Sequence, residues 1–170
     1  SLKYAIQDFP LIPHYAVLDP SLTAGLPQKV TSTTGMDALC HAVEAYIGNS
    51  NTKETKAKAE EAVKLIFKYL KRAYDNGGDM EARENMQTAA FDAGVAFTRA
   101  YVGNVHAMGH AMGAKYNTPH GLAMAVILPH MLDLYGEKIY KNLAKMADAA
   151  GITGKDEEEN AKAFIRAVND

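Results

Sequence analysis

The chain has 170 residues, and its 18 lysines and arginines against 20 aspartates and glutamates leave a net charge of −2, which gives nucleic acid no basic face to bind. A hydrophobic share of 48% with 22% charged residues is the composition of a chain that buries one ordinary core, neither disordered nor membrane-embedded. The single cysteine, Cys40, excludes an intrachain disulfide and fits a reducing compartment.

In chain order, residues 1–20 differ from the rest. Prolines 10, 13 and 20 bracket the apolar run Tyr15-Ala16-Val17-Leu18, whose pattern predicts one short buried strand. A lone strand needs a sheet for its backbone donors and acceptors, so this orphan strand implies that the chain is a piece of something larger. Beyond it the periodicity is helical. Pro27 suits the first position of a helix that carries Met36 to Tyr46. Asn51 with Glu54 three residues on reads as a capping box opening a helix to about Tyr74, with Val63, Ile66, Phe67 and Leu70 on its apolar face. Gly77-Gly78 stops it, and Asp79 caps the next helix to about Tyr101, with Met86, Ala89, Ala93 and Phe97 at helical spacing. Two helices follow, one through His106 and His110 and one after His120. Another spans roughly 137–149 and ends at Gly151, and an acidic one begins near Asp156. The apolar run Leu122–Leu128 is too short to cross a bilayer, and no secretory leader opens the sequence, so the expectation is a soluble cytoplasmic protein. The fold class expected is an all-α bundle with one orphan strand at the N-terminus.

Four of the six histidines fall in two short segments. Asp37 and His41 sit four residues apart and project from one helix face, as do His106 and His110, with His120 just beyond a break. One carboxylate with several imidazoles suits Fe(II) or Zn(II) better than Ca(II) or Mg(II). The plainer reading is that each pair is only a hydrogen bond along its own helix surface, and spacing alone leaves both open. His14 and His130 have no partner at ligand spacing and read as structural, and Cys40, on an apolar helix, reads as packing.

Two runs carry a resemblance. Val17-Leu18-Asp19-Pro20, Leu26-Pro27 and Thr34-Gly35-Met36-Asp37-Ala38-Leu39-Cys40-His41-Ala42-Val43-Glu44-Ala45-Tyr46 resemble the first signature of the iron-containing (group III) alcohol dehydrogenases. Gly103-Asn104-Val105-His106-Ala107-Met108-Gly109-His110 through Pro119-His120-Gly121-Leu122-Ala123 resembles the second. The resemblance implies that Asp37, His41, His106 and His120 are the metal ligands, with Fe2+ the usual ion and Zn2+ or another divalent metal in some members. It implies that His110 lies by the metal and the nicotinamide as a proton relay and that Phe97 lines the substrate pocket; Leu22, just after Asp19, is expected to touch the cofactor in an intact enzyme as one wall of a cleft. The activity implied is NAD(P)-dependent hydride transfer between a small alcohol and its aldehyde; a homo-oligomer is expected separately, because an exposed strand edge and an uncovered cleft face seek partners.

The same family has an N-terminal nucleotide-binding domain with a Gly-rich phosphate loop, and no strand–loop–helix of that kind occurs in this sequence. The expectation is therefore that residues 1–20 are the tail of that domain. Residues 21–170 are then the helical metal-binding domain, itself continuing past residue 170. Alternatives are an isolated metal-binding or assembly fragment without activity, or the glycerol dehydrogenase-like branch, which uses fewer metal ligands. Two local departures stand out: Gly109 where Ala is common, and Met124 where Asn is common.

Overall fold

Alanine sets how closely the helices of this protein approach. The computed structural model describes residue 6 and residues 8–170, and the described residues form seven α-helices joined by short turns: α1 Gln28–Ile47, α2 Lys53–Asp75, α3 Met80–Ala100, α4 Asn104–Tyr116, α5 His120–Tyr135, α6 Tyr140–Ala150 and α7 Glu157–Asn169. Helix α1 packs against α2, α3, α5 and α6, which makes it the central rod. It can do so because Ala38, Ala42 and Ala45 are buried on it together with Leu39, Cys40, Val43 and Tyr46. A helix apolar on all sides belongs inside a bundle. Helix α3 answers with Ala82, Ala89, Ala93, Ala96 and Ala100, all buried. Bulk enters at the layer's edge, where Ile66, Leu128, Leu132, Leu143, Met146 and Phe164 are fully enclosed.

Helices α2 and α3 form an antiparallel hairpin whose turn is held by charge. Arg72 donates to both carboxylate oxygens of Asp79 at 2.9 and 3.1 Å and to Glu81 at 2.7 Å, while Lys58 reaches the buried Asp92 at 2.7 Å. Arg83, itself buried, donates to the Gly77 carbonyl, the Thr31 hydroxyl and the Leu26 carbonyl. It thereby fixes the start of α1 onto the hairpin turn.

The helices agree with the sequence reading in number and order, and their caps differ in detail. Asp79 caps α3 through its side chain as expected, and Asp156, near the expected start of the last helix, caps α7. The capping box of α2 is formed by Thr52 and Thr55, not by Asn51 and Glu54. The Thr52 hydroxyl sits where it can accept from the Thr55 N–H at 3.2 Å, and Asn51 turns back to the Tyr46 carbonyl at 2.9 Å. A 3-10 turn over Gly136–Ile139 precedes α6, which starts at Tyr140, three residues after the expected position.

The expected strand does not form. Among the described residues there is no strand, and Tyr15 and Val17 are 89% exposed. Without a neighbouring strand the backbone groups of residues 15–18 have no ladder to join. Residues 1–5 and 7 of the 1–20 segment lie outside the described residues.

Candidate metal centre

Three helices meet at the histidines. Asp37 and His41 sit one turn apart on α1, His106 and His110 one turn apart on α4, and His120 is the first residue of α5. Two glycines allow this meeting. A Cβ on Gly121 would lie 2.2 Å from the backbone oxygen of Thr33, so only glycine lets α5 cross α1 one turn before Asp37. A Cβ on Gly109 would lie 1.8 Å from Cε of the buried Met124, whose side chain fills the space beside this glycine between α4 and α5.

The result brings the ligand-type atoms together. Asp37 Oδ1 lies 3.5 Å from His106 Nε2 and 3.4 Å from His120 Nε2. The ring of His41 stacks on that of His106 with centroids 4.5 Å apart, and the ligand atoms of Asp37, His41 and His106 all fall within 4.8 Å of one another. Ligand atoms about 2.0–2.2 Å from a tetrahedral ion are separated from each other by about 3.3–3.6 Å. Good N–H···O hydrogen bonds are shorter, about 2.7–3.2 Å. The two separations at Asp37 Oδ1 therefore match the edges of a coordination polyhedron better than a hydrogen-bonded contact. Asp37 Oδ1 and His106 Nε2 are moreover buried without a hydrogen-bond partner. Burying both so close together is unfavourable unless something positive lies between them. The residues present thus fit a divalent transition metal.

Electrostatics divide the histidines. Burial pulls His41 down to about 4. Burial also disfavours the charged form of His106, but Asp37 and Glu44 outweigh it and lift that ring to about 9. The Asp37 carboxyl is lowered despite its burial, because His106, His41 and His120 surround it.

The remaining candidates fall in two places. His110 faces the cluster, its ring 5.1 Å from that of His120 and edge-on to His106 at 5.9 Å. Phe97, half-buried on α3, stacks on His41 with centroids 4.3 Å apart. Leu22 lies apart from this cluster, 80% exposed on the 3-10 turn Pro20–Thr23. His14 and His130 are exposed and play no part in it.

Sequence reasoning missed Glu44. It is 3% exposed, and its Oε2 lies 2.6 Å from His106 Nδ1, on the opposite side of the ring from Asp37. The available signal was an acid inside the apolar run Ala42-Val43-Glu44-Ala45, seven residues from Asp37 and so on its face of α1. Cys40 is also behind His106, its Sγ 3.7 Å from Nδ1, and burial with the negative charges of Glu44 and Asp37 pushes its thiol pKa well up. That is an inert packed thiol.

Comparison with known proteins bears on this geometry. Residues 31–170 match the family described as the Fe-containing alcohol dehydrogenase family, C-terminal. The chain is 44% identical to alcohol dehydrogenase 4 of Schizosaccharomyces pombe over 97% of its own length and 39% of that protein's. It is 42% identical to 1,3-propanediol dehydrogenase of Klebsiella pneumoniae over 91% of its length and 39% of the relative's. Its fold superposes on the solved structure of an alcohol dehydrogenase from Oenococcus oeni with a TM-score of 0.85 at 35% identity, covering 88% of this chain and 40% of that one. The chain thus spans about two fifths of the length of these relatives.

Proposed function

The chain belongs to the iron-containing alcohol dehydrogenase family, and from that premise we propose that Asp37, His41, His106 and His120 hold one divalent ion, Fe2+ or in its place Zn2+, at the centre of an NAD(P)-dependent oxidation of small alcohols. The observation that carries this reading is the pair of buried, unpartnered atoms Asp37 Oδ1 and His106 Nε2, 3.5 Å apart with His120 Nε2 beside them. When bound, such an ion supplies Lewis acidity toward the alcohol or carbonyl oxygen.

The protein's own residues do the rest. Burial keeps His41 neutral at physiological pH, so its ring offers a lone pair without first losing a proton. Phe97, stacked on His41, walls the pocket with an apolar face that favours a short alkyl chain and excludes water. His110 can take a hydroxyl proton from the alcohol and pass it to solvent, and a nicotinamide, when bound, would supply the hydride acceptor. Leu22, exposed on its turn, gives the nicotinamide cofactor one apolar wall. Phosphate contacts of the kind made by a Gly-rich turn come from outside residues 21–170 in this reading. The substrates are small primary alcohols or diols and their aldehydes, as the names of the relatives fit, and the assembly is a cytoplasmic homo-oligomer. Among the described residues no helix is long and apolar enough to cross a membrane.

Elemental analysis tests the site. The chain purified with metal should carry one iron or zinc per polypeptide, and Asp37→Asn or His106→Asn should lose most of it, since removing one of four ligands weakens and opens the centre. Unchanged stoichiometry in both variants would overturn the assignment.

A further inference from the structure

We propose that Glu44 is a positioning residue: it fixes the tautomer and orientation of His106 and at the same time starts the helix that carries it. The inference rests on the metal reading of Asp37, His41, His106 and His120.

Helix α4 begins at Asn104 after Gly103, and no side chain at its own cap position accepts from its first turn. Its N–H groups still need partners, as at any helix start. Glu44 supplies them from α1: Oε1 accepts the Val105 N–H at 2.8 Å, and Oε2 makes a longer contact with the His106 N–H at 3.4 Å. The same Oε2 lies 2.6 Å from His106 Nδ1. A carboxylate can only accept, so the proton between them belongs to Nδ1. That leaves the other ring nitrogen of the neutral imidazole, Nε2, as a lone pair 3.5 Å from Asp37 Oδ1, the atom that His120 Nε2 also approaches. Histidines that bind metals depend on such a partner behind the ring.

A second metal between Cys40, Glu44 and His106 is the rival use of these atoms, since their ligand atoms also cluster. The separation of 2.6 Å between Oε2 and Nδ1 is too short for two atoms sharing an ion, whose spacing is about 3.3 Å or more. It is the spacing of a charge-assisted hydrogen bond. A wholly structural role, a cap on α4 and nothing else, explains Oε1 but not why Oε2 engages the ring.

Glu44→Gln separates these. A glutamine can accept the Val105 N–H with its one oxygen, but its amide then faces Nδ1 as a donor and drives the ring proton to Nε2, where it blocks coordination. The test is a zinc titration of the metal-stripped chain against a competing chelator, with long-range 15N–1H correlation spectra of the histidine rings. We expect wild type to bind one zinc with the His106 proton on Nδ1, and E44Q to stay folded but bind zinc 10–100-fold more weakly, with that Nδ1 proton lost. Zinc affinity of folded E44Q within about twofold of wild type would overturn the role of Glu44, while loss of zinc by D37N beside it would leave the metal reading standing. A wild-type chain that takes up no zinc overturns both. If E44Q does not fold, the wild-type spectrum decides alone: a proton on Nε2 of His106 in the zinc-loaded chain overturns the inference.

Discussion

Two histidines 4.5 Å apart are shifted in opposite directions, because Asp37 and Glu44 overcome burial at His106 while burial prevails at His41. His106 is lifted to about 9 and His41 falls to about 4 from an ordinary 6.5. In the metal-free chain the stabilisation from charged His106 is complete below about pH 6.5 and is lost as pH rises through about 9. His41 works the other way: the fold needs it neutral, so its contribution is lost as pH falls from 6.5 toward 4. Metal-free protein should therefore melt highest near pH 6.5, and the increment in Tm from zinc should grow between pH 6.5 and 9, because coordination requires a neutral ring. Calorimetry of stripped and zinc-loaded samples across pH 5–9.5 checks this, and a zinc increment that stays flat above 6.5 would contradict it. His110 belongs to the same scale. His110→Ala should leave metal content intact while slowing alcohol oxidation by the complete enzyme about 10²–10⁴-fold. Loss of metal in that variant would instead make His110 a ligand.

Helices α4 and α5 show how two residues distant in the sequence compete for one space. Gly109 and Met124 look unrelated in the sequence, where they are fifteen positions apart, yet Met124 Cε occupies the space that an alanine methyl at 109 would claim. Gly109→Ala alone should destabilise the chain by about 1 kcal/mol or less, because the atom it meets is the end of the flexible Met124 side chain, which must turn away. In a Met124→Ala background the same change should become neutral or stabilising, since the cavity is filled and Ala favours a helix interior over Gly. Thermal unfolding of the four proteins gives the coupling, and additive changes would show that the two residues do not compete for space. Much at this scale was legible in the sequence. Asp79, Asp156 and Gly151 announced helix ends because capping chemistry is local. The pairs Asp37/His41 and His106/His110 announced shared faces because helical period is local too. What stayed hidden depends on distant neighbours. Nothing near Glu44 in sequence says that the start of α4 lies against it, and nothing in Tyr15-Ala16-Val17-Leu18 says whether a partner strand exists.

Across the whole molecule, the close approach of α5 to α1 at Gly121 and the packing of α4 on α5 at Gly109 put side chains as short as Asp37 and Glu44 on both sides of one imidazole. The central claim is that Asp37, His41, His106 and His120 enclose a single ion while Glu44 holds His106 from behind. Anomalous diffraction from crystals of the iron- or zinc-loaded chain, collected on both sides of the metal's absorption edge, tests it most directly. The account predicts one peak, about 2.0–2.3 Å from Asp37 Oδ1 and from Nε2 of His106 and His120, with His41 as the fourth contact. A peak on the Cys40–Glu44 side of His106, or metal-loaded crystals with no peak among these four residues, would contradict it.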